Sequence, residues 1–573
     1  MIKKLLKSVR EYKLPSILTP VFMLGEVLME VLIPFFMAKI IDLGIQKGDM
    51  SQILIYGAIL FVCALFSLFF GVMSGRMASI ASNGFAKNLR HDIYYNIQNY
   101  SFKNIDKYST SGIITRLTTD VSNVQNAYQM GIRIAIRAPL MFLFSVIMTF
   151  TINVRISLIY LIIVPLLFGI LLLIAKKAHP YFEKVFKTYD ELNNVVKENV
   201  SGIRVVKSYV REDYEIDKFN KVSEKIYKLF TSAEKMVASN GAIMDAFMYT
   251  CIILISYLGA KSIVAGSLTT GELTSLITYS MSILSSLMML SMIYVMILIS
   301  LPSMRRVVEL LDEKSDITNP ENPFMEVKSG DIEFNHVDFS FVGKHSKLAL
   351  KDVNFKIKAG ETIGIIGGTG SGKSSFVNLI PRLYDTTKGE VKVGGKNVKE
   401  YDLNVLRNEV SMVLQKNVLF SGTIRDNLKW GNENATDKEI LEACDVAQAS
   451  GFIKELGGLD YMLDAGGTNV SGGQKQRLCI ARALLKKPKV IVFDDSTSAC
   501  DTKTDAKIRE GLRNCMPNVT KLIIAQRIAS VEDANRVIVI DKGKIVAFDT
   551  PKNLLKSCKI YKEINDSQKK GGK

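Results

Sequence analysis

The chain has 573 residues, a formal net charge of +17 and a mean hydropathy of +0.18. This length exceeds that of an ordinary single domain, and a hydrophobic content of 48% lies between the values of soluble and membrane proteins. The basic residues flank apolar segments rather than an aromatic-rich patch, so we expect contact with membrane lipid headgroups and no nucleic acid. The seven cysteines have no paired spacing, which indicates free thiols in a reducing cytoplasm.

Six apolar segments of membrane length occupy the first three hundred residues. They run over 16–41, 53–73, 137–152, 156–174, 242–258 and 273–299. Long connections with amphipathic helical patterns follow the second and fourth segments, whereas the other connections are short. Because Lys and Arg crowd the amino terminus and the long connections, the positive-inside rule places both termini in the cytoplasm. The sequence therefore predicts a multi-pass protein of the inner or plasma membrane.

A polar linker at 312–328, with two prolines, follows the last apolar segment. We predict a transmembrane domain of six helices over 1–311 and a second domain over 329–573. In the second domain short strand-like runs alternate with helical ones, which indicates an α/β core. The predicted fold is an α-helical six-span membrane domain with long cytoplasmic helix extensions, followed by an α/β domain.

The α/β domain contains a complete phosphate-binding loop between a predicted strand at 362–366 and a predicted helix. The loop residues are Gly367, Gly368, Thr369, Gly370, Ser371, Gly372, Lys373 and Ser374, followed by Ser375. In this pattern the glycines let backbone N–H groups approach phosphate oxygens, Lys373 reaches the terminal phosphates, and the Ser374 hydroxyl ligates Mg²⁺. The sequence therefore predicts a P-loop NTPase domain that binds a nucleotide with Mg²⁺.

Two further motifs follow the phosphate-binding loop. Residues 490–495 form an apolar strand that ends in Asp494 and Asp495, at the edge where α/β sheets bind ligands. Ahead of that strand, the residues Ser471, Gly472, Gly473 and Gln474 open a predicted helix. The backbone N–H groups and the dipole of such a helix terminus suit a phosphate.

Together these motifs resemble those of ATP-binding-cassette (ABC) proteins, and the whole chain resembles one half of an ABC exporter. The resemblance implies that Gln415 and Asp494 ligate Mg²⁺ and that Phe341 stacks on the adenine of ATP. A core position in its strand is the alternative for Phe341. It further implies that two cassettes enclose two ATP molecules, each contacted by the signature of the other cassette, here 471–474. Asp501 matches the loop that crosses between the two sites.

Two positions depart from the ABC pattern. The family has a Glu that polarises the attacking water where this chain has Asp495, and a carboxylate set back by one methylene can lose about 10²-fold in rate. The family has a switch His that touches the γ-phosphate where this chain has Gln526, whose amide carries no titratable proton. Both departures concern catalysis and neither concerns nucleotide binding. The pattern resembles the degenerate-site subunit of heterodimeric bacterial multidrug exporters.

We therefore expect a subunit of an ATP-driven exporter of small amphipathic or drug-like molecules, paired with a second, non-identical ABC half-transporter. ATP hydrolysis is expected mainly at the site that the partner's Glu and His complete with this chain's signature. Three alternatives stay open: a homodimeric exporter with slow hydrolysis, an exporter of lipids or peptides, and a nucleotide-gated regulatory subunit that does not pump.

The membrane half offers three candidates for the substrate cavity. Glu26 is an ionisable residue in the first apolar segment, where charge is costly unless it faces a cavity or a partner. Met288 and Met292 belong to a methionine-rich sixth segment, whose flexible side chains suit either a promiscuous cavity or packing toward lipid. In the long connections, we expect the stretches 108–112 and 209–217 to dock on cassettes.

Overall fold

The computed structural model describes residues 1–341, 348–496 and 500–570. Two compact units are present. The first comprises Met1–Gln98 and Ser109–Glu313, and the second comprises Asn99–Tyr108 and Lys314–Lys573.

Six long helical spans form the first unit, and each is apolar enough over a sufficient length to cross a membrane. They run over Ile2–Ile45, Met50–Gln98, Thr110–Ile152, Val154–Ser201, Glu212–Val264 and Thr270–Asp312. The second of them, with 49 residues, is about 73 Å long at 1.5 Å per residue. That length is more than twice the thickness of a hydrocarbon core of about 30 Å. In the described part of the chain, the predicted six-span domain with long helix extensions is therefore confirmed.

The α-helices of this half of the chain include short ones within the long connections. In chain order they are α1 (Ile2–Leu5), α2 (Lys13–Lys39), α3 (Met50–Gln98), α4 (Phe102–Lys107), α5 (Thr110–Thr115), α6 (Val121–Ile132), α7 (Ile134–Ile152), α8 (Val154–Ser201), α9 (Ile203–Ser208), α10 (Glu212–Val264) and α11 (Thr270–Asp312). Asn153 separates α7 from α8 and caps α8 by accepting a hydrogen bond from the backbone N–H of Ile156. Thr269 caps α11 in a reciprocal capping box with Glu272.

Buried hydroxyl groups join the spans inside the bundle. The Tyr279 hydroxyl donates to the backbone oxygen of Val31 at 2.7 Å, which ties α11 to α2. The hydroxyls of Tyr160 and Ser280 lie 2.5 Å apart, which ties α8 to α11. In an apolar environment each polar group needs such a partner, so these contacts specify which helix faces meet.

The second unit is an α/β domain built around a six-stranded sheet of order β12-β11-β3-β10-β9-β6. Its strands, with those of the smaller sheets, are β1 (Ile332–Phe339), β2 (Leu350–Ile357), β3 (Thr362–Ile366), β4 (Lys388–Val393), β5 (Lys396–Asn397), β6 (Val410–Val413), β7 (Gly422–Thr423), β8 (Met462–Leu463), β9 (Val490–Asp494), β10 (Thr520–Ile524), β11 (Arg536–Asp541) and β12 (Lys544–Asp549). Strands β11, β3, β10, β9 and β6 are parallel, and β12 is antiparallel at one edge.

Helices cover this sheet, and a second antiparallel sheet of order β2-β1-β4-β5 completes the domain. The helices are α12 (Lys373–Asn378), α13 (Leu403–Glu409), α14 (Ile424–Lys429), α15 (Asp437–Val446), α16 (Ser450–Glu455), α17 (Gly472–Leu485), α18 (Thr502–Cys515), α19 (Pro551–Ser557) and α20 (Lys559–Lys570). Every residue of β9 and β10 is buried, as expected for parallel strands with both faces covered. Parallel pairing brings the carboxyl ends of β3, β9, β10 and β6 to one edge, where the candidate site lies.

The boundary between the two units follows Glu313, so most of the predicted linker 312–328 belongs to the second unit. The backbone N–H of Phe324 donates to the oxygen of Glu400 at 2.8 Å, and the N–H of Asp402 donates to the oxygen of Phe324 at 3.1 Å. These two bonds attach the chain to the domain before β1 begins.

The segment Asn99–Tyr108, between the second and third spans, belongs to the second unit. The Tyr384 hydroxyl donates to the Asp106 carboxylate at 2.5 Å, and the rings of Phe102 and Tyr384 are 6.1 Å apart. Lys103 forms an ion pair of 3.2 Å with Asp316. The docking segment therefore begins earlier in the chain than the predicted stretch 108–112.

Replacing Tyr384 with Phe removes the hydroxyl that binds Asp106 and keeps the ring that packs on Phe102. We expect trypsin to cleave at Lys103 or Lys107 about five- to tenfold faster, because local opening of the segment becomes easier. Time courses of proteolysis in membranes measure this rate. Tyr227→Phe, at an exposed tyrosine of α10, is the matched control, and equal cleavage of both variants would contradict the docking role of Tyr384.

Candidate nucleotide-binding site

The phosphate-binding loop joins β3 to α12, and its glycines are required by its geometry. Gly370 and Gly372 have φ angles of +75° and +108°, a region that favours glycine. A Cβ on Gly367 would lie 2.1 Å from the backbone oxygen of Ile540. Among the described residues, no atom lies near the Cβ position of Gly368 and no side chain caps the N-terminus of α12. A glycine loop that leads into a helix N-terminus in this way suits an anionic ligand.

Lys373 lies against the loop that precedes it. Its ammonium donates to the backbone oxygens of Gly367 and Gly368, at 2.8 Å each. Burial lowers the pKa of Lys373, and the charges of Asp495 and Asp494 oppose that change. The Ser371 hydroxyl oxygen is buried without a hydrogen-bond partner among the described residues, so the loop fits a ligand that supplies further polar atoms.

Two of the three predicted Mg²⁺ ligands lie side by side. The Ser374 hydroxyl donates to the Asp494 carboxylate at 3.2 Å, and both are oxygen ligands of the kind Mg²⁺ binds. Burial raises the pKa of Asp494, the bond from Ser374 lowers it, and the nearby Asp495 raises it further. Gln415 follows β6, the neighbour of β9, and is exposed. Within the described ranges, no hydrogen bond joins Gln415 to Ser374 or Asp494.

The two residues that depart from the ABC pattern contact each other directly. The Gln526 side-chain amide donates to Oδ2 of Asp495 at 2.7 Å. They meet because β9 and β10 are parallel neighbours, with Asp494 opposite Ile524, so both residues leave the sheet at the same edge. The backbone N–H of Asp495 also donates to the oxygen of Ile524 at 3.1 Å.

The environment of Asp495 combines burial with several favourable contacts. Burial raises the pKa of the Asp495 carboxyl, whereas the hydrogen bond from Gln526 and the charges of Lys373 and Arg527 lower it. Its φ of +51° is left-handed, which is uncommon outside glycine and is frequent near functional sites. The carboxylate is therefore held in a defined position and already accepts an amide N–H.

Gln476 is a contact of this site that the sequence analysis did not identify. It is buried within α17, and its amide donates to the backbone oxygen of Asp495 at 3.4 Å. The Cys500 thiol donates to the Gln476 amide oxygen at 3.5 Å. In the sequence, Gln476 could be noticed only as a polar residue at a core-facing position of the helix that the signature opens.

The signature residues form the N-terminus of α17, as predicted. Ser471 and Gln474 form a capping box, in which the Ser471 hydroxyl accepts from the Gln474 N–H and the Gln474 amide accepts from the Ser471 N–H. Gly472 has open space around its Cβ position. Among the described residues, no hydrogen bond joins Ser471, Gly472, Gly473 or Gln474 to the phosphate-binding loop.

Phe341 and Asp501 occupy defined surface positions. Phe341 is 43% exposed and packs edge-on against Tyr384, with ring centres 5.2 Å apart. Asp501 caps α18 by accepting from the backbone N–H and the hydroxyl of Thr504, which lowers the pKa of Asp501. Residues 497–499, shortly before Asp501 in the chain, lie outside the described residues.

Two models of known protein families match this chain. A model of the ABC transporter transmembrane region matches residues 16–304, and a model of the ABC transporter domain matches 350–498. The chain belongs to the ABC transporter family. Its two matched regions are fused in one polypeptide, which confirms the half-transporter organisation. The ABC domain implies ATP binding and ATP-driven transport, usually with Mg²⁺, and transporters of this exporter fold act as dimers.

Relatives of this ABC transporter match it over nearly its whole length. The ABC transporter ATP-binding protein YfiB of Bacillus subtilis is 34% identical, with 99% of this chain and 98% of the relative covered. An ABC transporter ATP-binding protein of Mycobacterium tuberculosis is 31% identical, with 99% and 98% covered. An ATP-dependent lipid A-core flippase of Desulfotalea psychrophila is 29% identical, with 99% of each chain covered.

A solved structure, that of a bacterial Atm1-family ABC exporter with ATP bound, has the same fold. It superposes with a TM-score of 0.81 at 22% identity and covers 98% of each chain. The six-span helical domain followed by a nucleotide-binding domain is therefore the exporter-type ABC fold.

In the membrane half of the transporter, Glu26 is already paired. Arg137 donates to Glu26 at 3.0 Å and to both carboxylate oxygens of Glu30 at 2.7 and 2.9 Å. One Glu26 oxygen is buried without a hydrogen-bond partner in the described part of the chain. Met288 and Met292 are 56% and 64% exposed on α11. Contact of these three residues with cargo stays a prediction.

Proposed function

We propose that the chain is the catalytically impaired half of a heterodimeric ABC exporter. The contact between Asp495 and Gln526 supports this proposal best. A general base must accept a proton from the attacking water, within hydrogen-bond reach of it. Here a carboxylate one methylene shorter than Glu has one of its oxygens occupied by an amide that has no titratable proton. This site binds ATP and hydrolyses it slowly.

Nucleotide binding at the same site rests on residues that match the family pattern. Lys373 moves its hydrogen bonds from the loop oxygens to the terminal phosphates, and backbone N–H groups of the loop hold the other phosphate oxygens. Ser374, Asp494 and Gln415 are the proposed Mg²⁺ ligands, and the metal supplies charge neutralisation when bound. Phe341 provides an exposed aromatic face for adenine. The chain therefore retains the residues needed to bind ATP.

The intact signature is assigned to the second site of the dimer. Ser471, Gly473 and Gln474 would face the γ-phosphate of ATP held by a partner whose own Glu and His carry out hydrolysis. In the second long connection, the side chains of Tyr209 and Val210 are 74% and 82% exposed. We propose that they contact the partner's cassette. Closure of the two cassettes on ATP would open the bundle outward, with the termini and both cassettes in the cytoplasm.

ATPase activity of the full-length chain, purified alone, tests the proposal. We expect turnover well below 1 s⁻¹, the low end for ordinary enzymes, and normal turnover for the complex purified from its native membrane. Brisk turnover by the isolated chain would favour the homodimeric exporter instead. Uptake of cargo into inverted vesicles, measured with the partner's catalytic Glu replaced, separates an exporter from a regulatory subunit, because only an exporter loses directional transport.

The proposed cargo is a small amphipathic molecule, and lipid is the second candidate. The observation that favours lipid is the full-length match to a lipid A-core flippase at 29% identity. Reconstituted complex should be tested with a fluorescent lipid and with a cationic amphipathic dye in parallel. Transport of the dye alone supports the first candidate, and transport of the lipid alone supports the second.

A further inference from the structure

The C-terminal helix α20 contacts the segment that carries Gln526. The side-chain amide of Gln568 donates to the backbone oxygen of Gln526 at 2.7 Å, and its oxygen accepts from the backbone N–H of Ile528 at 2.9 Å. One side chain therefore binds the main chain on both sides of Arg527. Both the donor and the acceptor of the Gln568 amide are used in this contact.

The helix that carries Gln568 is itself anchored. Tyr561 of α20 is buried in the core of the nucleotide-binding domain. Ile560 and Ile564 pack against the same core. Gln568 thus connects a packed helix to the segment 526–528, which follows β10 and pairs with no strand among the described residues.

A continuous chain of hydrogen bonds links α20 to the proposed ATP site. Gln568 binds the backbone of Gln526, and the side chain of Gln526 binds Asp495. The backbone position of Gln526 decides where its amide can reach. A side chain is held well enough for function only when its supporting contacts fix it, since errors of about an ångström are costly.

We propose that Gln568 is a positioning residue of the nucleotide site, through which α20 sets the place of Gln526 relative to the γ-phosphate. This inference rests on the proposed function only in taking Gln526 as the residue that meets the γ-phosphate. ADP lacks that phosphate. Gln568 therefore contributes to the affinity for ATP and leaves the affinity for ADP nearly unchanged.

Nucleotide affinity of the full-length chain in lipid nanodiscs tests the role of Gln568. For Gln568→Ala we expect the dissociation constant of a non-hydrolysable ATP analogue to rise about three- to tenfold, the loss of a pair of ordinary hydrogen bonds. The dissociation constant of ADP should change less than about twofold. Ser567→Ala is the matched control, because its hydroxyl donates to the backbone oxygen of Ile564 within the same helix. This control should change neither constant.

A second measurement separates positioning from a general structural effect. In a Gln526→Ala background, Gln568→Ala should no longer weaken binding of the ATP analogue, because the side chain through which it acts is gone. Equal weakening for ATP and ADP would overturn the proposal, as would an unchanged loss in the Gln526→Ala background or no loss at all. These readouts are binding constants, so rapid hydrolysis by the isolated chain would refute the proposed function without deciding this one.

Discussion

ATP hydrolysis by the isolated chain is expected to rise about 10²-fold when Asp495→Glu and Gln526→His are combined. The longer Glu side chain restores the methylene that the family pattern has at this position. The His replaces the amide that donates to Oδ2 of Asp495 at 2.7 Å, and it supplies a titratable group beside the γ-phosphate. Steady-state phosphate release at saturating ATP and Mg²⁺ measures the change.

The single variants and a binding-defective control define what the rise means. Asp495→Glu alone leaves the Gln526 amide in place, and Gln526→His alone leaves the carboxylate short, so we expect less than about a tenfold rise from either. Adding Lys373→Ala to the double variant should abolish the gain, because it removes the cation that reaches the phosphates. A double variant as slow as the natural chain would show that the impairment lies outside these two residues.

The sequence predicts best the local structure of short, contiguous segments. The loop from Gly367 to Ser374 is contiguous, so its spacing alone defines a strand, a glycine turn and a helix start, and the structure has β3 and α12 around it. Asp494 was predicted at a strand end because β9 is a continuous apolar run. In each case the local pattern determines the local structure, and parallel pairing of β3, β10 and β9 then brings the pieces to one edge.

Contacts between distant parts of the sequence could not be predicted in this way. Gln568 lies 42 residues from Gln526, on a helix whose position depends on packing of the whole domain. Gln476 is one polar residue within a helical pattern, and nothing in that pattern indicates that its amide reaches Asp495. The docking of Asn99–Tyr108 depends on Tyr384, far along the chain. Such pairings follow from tertiary structure, which local propensity does not encode.

In the membrane half, too, local structure could be predicted and contacts between distant residues could not. Hydropathy located the six apolar segments because lipid imposes a length of about twenty residues on each. It could not identify the partner of Glu26, which is Arg137 on another span. The ion pair neutralises a carboxylate that the sequence makes a candidate for the substrate cavity. A charge in a membrane span therefore has to be evaluated together with its neighbours.

In the complex purified from its native membrane, Gly472→Asp in this chain is expected to lower ATP hydrolysis by about 10²-fold or more. Gly472 is the first residue of α17, its φ lies outside the left-handed region, and no heavy atom of the described ranges lies within 4 Å of its Cβ position. A side chain fits there without disturbing the fold. An Asp would place a carboxylate at the helix terminus assigned to the partner's γ-phosphate, and like charges at such a contact are strongly unfavourable.

The matched control for this variant is Gly451→Asp, which adds the same charge to α16 of the same domain. Gly451 also has open space around its Cβ position, so any general effect of a new surface carboxylate appears in both variants. We expect hydrolysis by the Gly451→Asp complex to stay within about twofold of the natural complex, since surface substitutions have small effects. ATP bound to this chain's own phosphate-binding loop should persist in both variants. Equal hydrolysis by the two complexes would show that the signature of this chain does not complete the active site, and the proposed division of labour would then be wrong.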